Sequence, residues 1–146
     1  AMGAPYSKLV CMGRAPMIPG FLGSNIEGVF KPEKRAQLYG HWDSLPPAVA
    51  VLGKYPEEIF SGWEPVKEKV GKDEMKNIPF GAIAMYAFAD KLACGLQQFM
   101  AGARKFSLNE INREDIVAAN RETEEATGLA FMTDAKNEEA LKVLNS

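Results

Sequence analysis

The sequence predicts a mainly α-helical fold, with one long central apolar helix, several short helices, an extended Gly/Pro-rich N-terminal arm and little or no β-structure. Three observations predict it. The stretch 80–100 places large apolar side chains at helical spacing. Helix-capping signals recur near the C-terminus. Glycine and proline are concentrated at the start of the chain, where they disfavour regular structure. The 146 residues, 47% of them hydrophobic, suffice for one domain.

Residues 1–31 are predicted to form an extended arm. They contain five glycines, three prolines and one acidic residue, Glu27. A freely solvated tail would not carry the large apolar side chains found here, so we expect the arm to lie on another protein surface. A disordered terminus is the alternative that the sequence leaves open. The expected partner-binding residues of the arm are Met17, Ile18, Phe21 and Leu22.

Residues 32–105 form an apolar helical region in this interpretation. Pro32 begins a helix that Gly40 limits, and a second short helix runs from Pro46 to about Gly53. The segment 61–79 contains two glycines and two prolines among many charges, which predicts a polar connector.

The central helix is predicted from just after Pro79 to about Ala103. Its large apolar side chains are spaced 3, 4, 4 and 3 residues apart, which places them on one face. They are Met85, Phe88, Leu92, Leu96 and Phe99. Asp90 and Gln97 lie on the opposite face, seven residues apart.

An isolated membrane span is disfavoured for this helix. Asp90 and Lys91 near its centre would cost roughly 2.5–3.5 kcal/mol each, whereas its apolar residues would return only about 2–4 kcal/mol together. Burial in a soluble core or against a partner is favoured, and packing among other membrane helices stays open. We expect protein to cover the helix on more than one side and to satisfy both charges. Phe88, Leu92, Leu96 and Phe99 are the expected partner-binding residues.

Residues 106–146 are predicted to form an acidic helical segment. They hold nine acidic and four basic residues, a net charge of −5, which leaves +3 for residues 1–105. One helix is expected from Asn112 to a stop at Gly128, followed by a short helix after Thr133. The whole chain carries a net charge of −2, so nucleic-acid binding is not expected.

The sequence contains no motif of a known catalytic class. It lacks a P-loop and the dinucleotide, serine-hydrolase and zinc-protease signatures. Ser44, His41 and Asp43 are too close in sequence to form a triad. With one histidine, and with Cys11 and Cys94 far apart, no metal or redox motif is present. We therefore expect a non-catalytic protein.

Two segments resemble the light-harvesting chlorophyll-binding proteins. "GAIAMYAFADKLACGLQQF" is similar to a membrane helix of that family, which opens with a Gly-Arg-x-Ala-Met-x-Ala-Phe type run. "EEATGLAFM", Glu124–Met132, is similar to the family motif Glu-x-x-Asn-Gly-Arg-x-Ala-Met. The motif arginine is absent from both segments, so the family's Glu–Arg pairs that ligate chlorophyll cannot form here.

The resemblance implies a linker or structural subunit of a plastid photosynthetic complex, in the thylakoid membrane or at its surface. Its partners would be other protein subunits, contacted through the N-terminal arm and the helix at 80–103. Chlorophyll is the cofactor that it implies, with His41, Gln97 and Gln98 as candidate ligands. The alternative from another class is a soluble, independently folded helical binding module, with a small-molecule pocket behind residues 80–100.

Overall fold

The computed structural model describes residues 9–37, 42–135 and 137–145. Within these ranges the chain is mainly helical, as predicted, and its β-pairing is limited to an isolated bridge between Ala118 and Phe131. The chain divides into two compact units. One is Cys11–Gly95, and the other comprises the described residues before Cys11 and after Gly95.

The predicted long helix is confirmed, since Phe80–Gly102 form a continuous α-helix. The α-helices in chain order are α1 (Met17–Phe30), α2 (Pro47–Ala50), α3 (Pro56–Ile59), α4 (Trp63–Val70), α5 (Lys72–Met75), α6 (Phe80–Gly102), α7 (Arg121–Thr127) and α8 (Asn137–Leu144). Short 3-10 helices span Pro32–Gln37, Leu108–Glu110 and Arg113–Asp115.

The predicted extended arm is wrong for residues 17–30, which form α1. Pro19 lies in the first turn, where its missing N–H would have no partner within the helix. Gly20 and Gly23 face α6, where the absence of a side chain allows close packing. Packing against α6 thus offsets the low helix propensity of these glycines.

The predicted polar connector is also wrong, because α4 and α5 occupy most of residues 61–79. Pro65 lies in the first turn of α4, where proline is tolerated. Gly71 lies between the two helices with a φ of +85°, a conformation that glycine adopts without strain. Glycine and proline mark the helix ends here, and the residues between them are helical.

The core of the unit Cys11–Gly95 is centred on Phe80, at the start of α6. The rings of Phe60 and Trp63 meet the Phe80 ring edge-on, with centroids 5.5 and 5.3 Å away. Ile26 of α1 and Ile83 of α6 are each 1% exposed. The other buried members of this core are Val49, Met75 and Ala84.

Helices α1 and α6 meet at two glycines. A Cβ atom added to Gly23 would lie 2.6 Å from the backbone oxygen of Phe80, and one added to Gly81 would lie 2.7 Å from that of Gly20. Both distances are shorter than van der Waals contact. The two helix backbones therefore touch, and no residue larger than glycine fits at either position without movement.

A buried carboxylate joins the same two helices. Glu27 of α1 is 2% exposed, and its Oε2 accepts a hydrogen bond of 2.9 Å from the backbone N–H of Phe80. Its Oε1 accepts a 2.9 Å bond from Lys31 Nζ. Phe80 is the first residue of α6, so its N–H has no partner within that helix. Glu27 thus caps α6 from a neighbouring helix.

The predicted helix from Asn112 to Gly128 is wrong over its first half. Asn112 caps the 3-10 turn Arg113–Asp115, and Asn120 caps a new helix, α7, by accepting a 2.8 Å bond from the backbone N–H of Thr123. Between these caps the backbone is extended at Ala118, whose side chain is fully buried. The predicted stop at Gly128 is confirmed, with a φ of +67°.

Candidate docking surface

Helix α6 is buried only at its start. Its buried residues are Phe80, Gly81, Ile83 and Ala84, where α1 crosses it. Asp90 and Lys91 are exposed. Within the chain, α1 and the segment around Gly62 cover the first turns of α6, and coverage of the remaining turns by a partner stays a prediction.

A groove in the unit Cys11–Gly95 is lined by residues of both α1 and α6. It has a volume of about 250 Å³ and lies between Leu22 of α1 and Phe88 of α6. Val49, Ile59 and Phe60 also line it, so its walls are largely apolar. Lys91 also lines this groove. The fold thus joins two residues that the sequence predicted separately as partner-binding.

Seven large apolar side chains of α1 and α6 are exposed or half-buried, and two of them, Leu22 and Phe88, line this groove. We call them the α1–α6 face, which consists of Met17, Ile18, Phe21, Leu22, Met85, Phe88 and Leu92. Six of the seven are at least 40% exposed, and Phe88 is half-buried. The predicted partner-binding residues of the first unit therefore lie on one helix pair, within reach of a partner.

The second unit holds the other two predicted partner-binding residues. Leu96 and Phe99 line a groove of about 250 Å³ with Ile111 and Ile116. Phe99 is 82% exposed. This groove is apolar along most of its length, so the second unit also offers a surface to a partner.

An ion pair closes one side of the second groove. Lys105 Nζ lies 2.7 Å from Asp115 Oδ1, and the same carboxylate accepts a 2.8 Å bond from the backbone N–H of Asn112. The bond from Lys105 and that from Asn112 both favour the ionised carboxylate, and they hold the pKa of Asp115 below its usual value. Asp115 is therefore a pH-sensitive support of this surface.

Of the three candidate pigment ligands, the structure describes Gln97 and Gln98. His41 lies outside the described residues. Gln97 and Gln98 are both exposed on α6, and their side chains leave the helix about 100° apart. Gln98 lines an open groove of about 460 Å³ with Phe99 and Val117, and Gln97 does not line it. The described part of the chain builds no closed pocket around either glutamine.

The sequence interpretation missed Glu27, Gly23 and Gly81, which set the position of the docking surface. Glu27 is the lone acidic residue among the first 31, inside an apolar segment, and that isolation was a usable signal. The run "GFLGS" places small residues three and four apart, which is typical of closely packed helices. Their partner Gly81 lies 58 positions after Gly23, a pairing that periodicity does not reveal.

Among the residues that the structure describes, none of the helices has the length and apolarity to cross a membrane. In the same ranges, His, Cys, Asp and Glu side chains do not gather in groups of three that could hold a metal ion. Cys11 and Cys94 are exposed free thiols.

Comparison with protein-family models, with curated proteins and with solved structures found no match to this chain.

Proposed function

We propose that this protein is a non-catalytic structural subunit that docks onto a helix of another subunit in a larger assembly. One observation carries the proposal. Among the described residues, twenty-two large hydrophobic side chains are exposed, whereas nine hydrophobic residues are buried. Six of these exposed side chains belong to α1 and the first part of α6, two helices that pack together, and a large exposed apolar patch marks an interaction site. A partner that covers the α1–α6 face would complete the core that the chain leaves open.

The partner is proposed to be helical because of the spacing on α6. Side chains at intervals of 3 and 4 residues interdigitate best with those of a second helix. Met85, Phe88 and Leu92 supply such a row, and the groove beside Leu22 can receive an apolar side chain. The exposed charges Asp90 and Lys91 would lie at the rim of this interface, where charges are common.

We propose a plastid photosynthetic membrane complex as the assembly. The resemblance of residues 81–99 and Glu124–Met132 to light-harvesting chlorophyll-binding proteins supports this part. Chlorophyll remains the cofactor that the resemblance implies. A purified native assembly tests both points, because chlorophyll absorption in the fraction that contains this chain would support them. A pigment-free assembly from a compartment other than the plastid would contradict them.

Photo-cross-linking tests the docking surface directly. A benzophenone amino acid at Leu92 should give one discrete adduct with another polypeptide in the source cells. The matched control places the same group at Val51, which is 81% exposed and lies outside the α1–α6 face. We expect no adduct from that position. An adduct with a second copy of this chain, or equal labelling from both positions, would contradict a specific partner.

A second experiment measures assembly. Leu92→Asp should reduce co-migration with the large complex at least tenfold, because a buried unpaired charge costs more than about 1.4 kcal/mol. Val51→Asp should leave co-migration unchanged. Circular dichroism of both variants separates loss of docking from loss of fold.

The alternative function, a helical binding module for a small molecule, is favoured by a different feature. A cleft of about 340 Å³ lies on the unit Cys11–Gly95, lined in part by Phe80 and Trp63. The residues that line this cleft are different from those of the α1–α6 face.

A further inference from the structure

The cleft has an apolar floor. Phe80 and Met75 line it and are 3% and 5% exposed, and the Trp63 ring stands edge-on to Phe80. These side chains come from α4, the end of α5 and the first turn of α6. Trp63 is only half-buried, so an apolar group placed in the cleft would contact mainly its ring, with the nearly buried Phe80 and Met75 beside it.

Four lysines surround this floor. Lys31, Lys67, Lys72 and Lys76 all line the cleft, together with one acidic residue, Glu57. Lys31, Lys67 and Lys76 pair with Glu27, Glu64 and Asp73, and among the described residues no ion pair neutralises Lys72. An anion placed in the cleft would be attracted by Lys72 and could replace the exposed partners of Lys67 and Lys76.

Lys31 is held in place at the inner side of the cleft. Its Nζ lies 2.9 Å from the buried Glu27 carboxylate and 4.7 Å from the centroid of the Phe80 ring. Glu27 neutralises this lysine, so Lys31 contributes to the shape of the cleft more than to its charge.

The remaining three lysines are available to a ligand. Lys67 pairs with Glu64 and Lys76 pairs with Asp73, both on the protein surface. Exposed pairs of this kind contribute at most about 1 kcal/mol, so exchanging them for a ligand costs little. Within residues 9–37, 42–135 and 137–145, no ion pair holds Lys72.

We propose that this cleft binds a small amphiphilic monoanion. The apolar body of the ligand lies against the half-buried Trp63 ring, beside Phe80 and Met75, and its carboxylate or sulfonate lies between Lys72 and Lys76. The cleft volume is at the lower end of the range for small-molecule sites, which selects a compact ligand. Glu57 at the same cleft disfavours a second negative charge. This proposal is independent of the docking surface.

Two fluorescent probes with the same apolar body test the need for charge. They are 1-anilinonaphthalene-8-sulfonate, which is an anion, and N-phenyl-1-naphthylamine, which is uncharged. Titration of the full chain should show saturable binding of the anion at least fivefold tighter than that of the neutral probe. Equal affinity for the two probes would overturn the proposal, because an apolar patch alone would explain it.

Charge reversal at the cleft locates the site. Lys72→Glu should weaken binding of the sulfonate probe about fivefold or more, since it replaces an attraction with a repulsion. An acidic residue suits the first position of α5, so the variant should fold. The control Lys54→Glu makes the same change at an exposed lysine outside the cleft. Equal weakening by both variants would show non-specific attraction and overturn the proposal.

Competition identifies the source of the anion. Monomeric decanoate should displace the sulfonate probe from the full chain, and decyl alcohol should not. If anionic phosphatidylglycerol vesicles displace the probe and decanoate does not, the lysines bind a membrane surface and the proposed small-ligand site is wrong.

Discussion

The carboxylate of Glu27 and the backbone N–H of Phe80 are 53 residues apart in the sequence and form a buried hydrogen bond of 2.9 Å. Glu27 lies near the end of α1, and Phe80 begins α6. The bond places a negative charge at the positive end of the longest described helix. It therefore fixes where α6 starts and how α1 approaches it.

Removing this carboxylate should destabilise the unit Cys11–Gly95. Glu27→Ala leaves the Phe80 N–H and the Lys31 ammonium without their buried acceptor, and we expect a loss of about 2–4 kcal/mol in the free energy of unfolding. Urea denaturation followed by tryptophan fluorescence measures it. Glu68→Gln, at an exposed position on α4, is the control and should change stability by less than about 0.5 kcal/mol. Similar stabilities of both variants would show that Glu27 does not support the helix pair.

Alanine substitutions should have opposite effects on stability at the two glycines of the α1–α6 contact and at a glycine outside it. Gly23→Ala and Gly81→Ala place a methyl group under 3 Å from backbone atoms, and each should cost about 1–3 kcal/mol. Gly95→Ala is on the same helix as Gly81 but meets no atom within 4 Å, so it should stabilise the helix by up to about 1 kcal/mol. Thermal melts of the three variants give the comparison. A stabilising effect at all three positions would contradict the close crossing.

Acid should loosen the second unit. The Asp115 carboxylate has a lowered pKa in the folded chain, mainly because Lys105 donates a hydrogen bond to it. Its contribution to stability is therefore present above the usual carboxyl pKa and is lost as the pH falls through the lowered folded-state pKa. The methyl signals of Ile111 and Ile116 should shift when the pH is lowered from about 6 to about 2.5. Asp115→Asn should remove most of this response, and Glu114→Gln should keep it. A response identical in wild type and Asp115→Asn would assign it to another group.

Hydrogen exchange should be uneven along α6. The amides of Ile83–Phe88 lie in turns that α1 and the core cover, whereas those of Leu92–Gly95 lie in turns whose side chains are mostly exposed. We expect at least tenfold slower exchange in the first group, since tertiary packing supplies most of the stability of a helix in water. Amide exchange followed by NMR measures the ratio. Uniform protection along the helix would contradict it.

Local sequence signals predicted the elements that depend on local physics. The 3, 4, 4, 3 spacing predicted α6, and Gly128 predicted the end of α7. The α1 helix was not predictable from propensity, because its glycines are favourable only when α6 packs against them. The helix predicted over residues 112–120 was wrong for a similar reason. The burial of Ala118 in an extended backbone depends on pairing with Ala130 and Phe131.

The same contrast between local sequence signals and tertiary packing applies to the candidate surfaces. Helical spacing identified Phe88 as a partner-binding candidate and the apolar content of the N-terminal segment identified Leu22, but the groove that joins them depends on the Gly23–Gly81 contact. The lysine-lined cleft was not predicted, because residues 61–79 were assigned to a connector. Its residues come from the four helices α3 to α6 and from the residues that follow α1 and α5, and their convergence is a property of the tertiary structure.

The exposed α1–α6 face also bears on how long a single copy of this chain survives in a cell. Chaperones and proteases recognise exposed apolar side chains, the same groups that a partner would cover. Under the proposed function, a copy without its partner would be a substrate for quality control, and its lifetime would fall when the partner is scarce. The amount of this protein would then follow the amount of its partner, with no transcriptional control required.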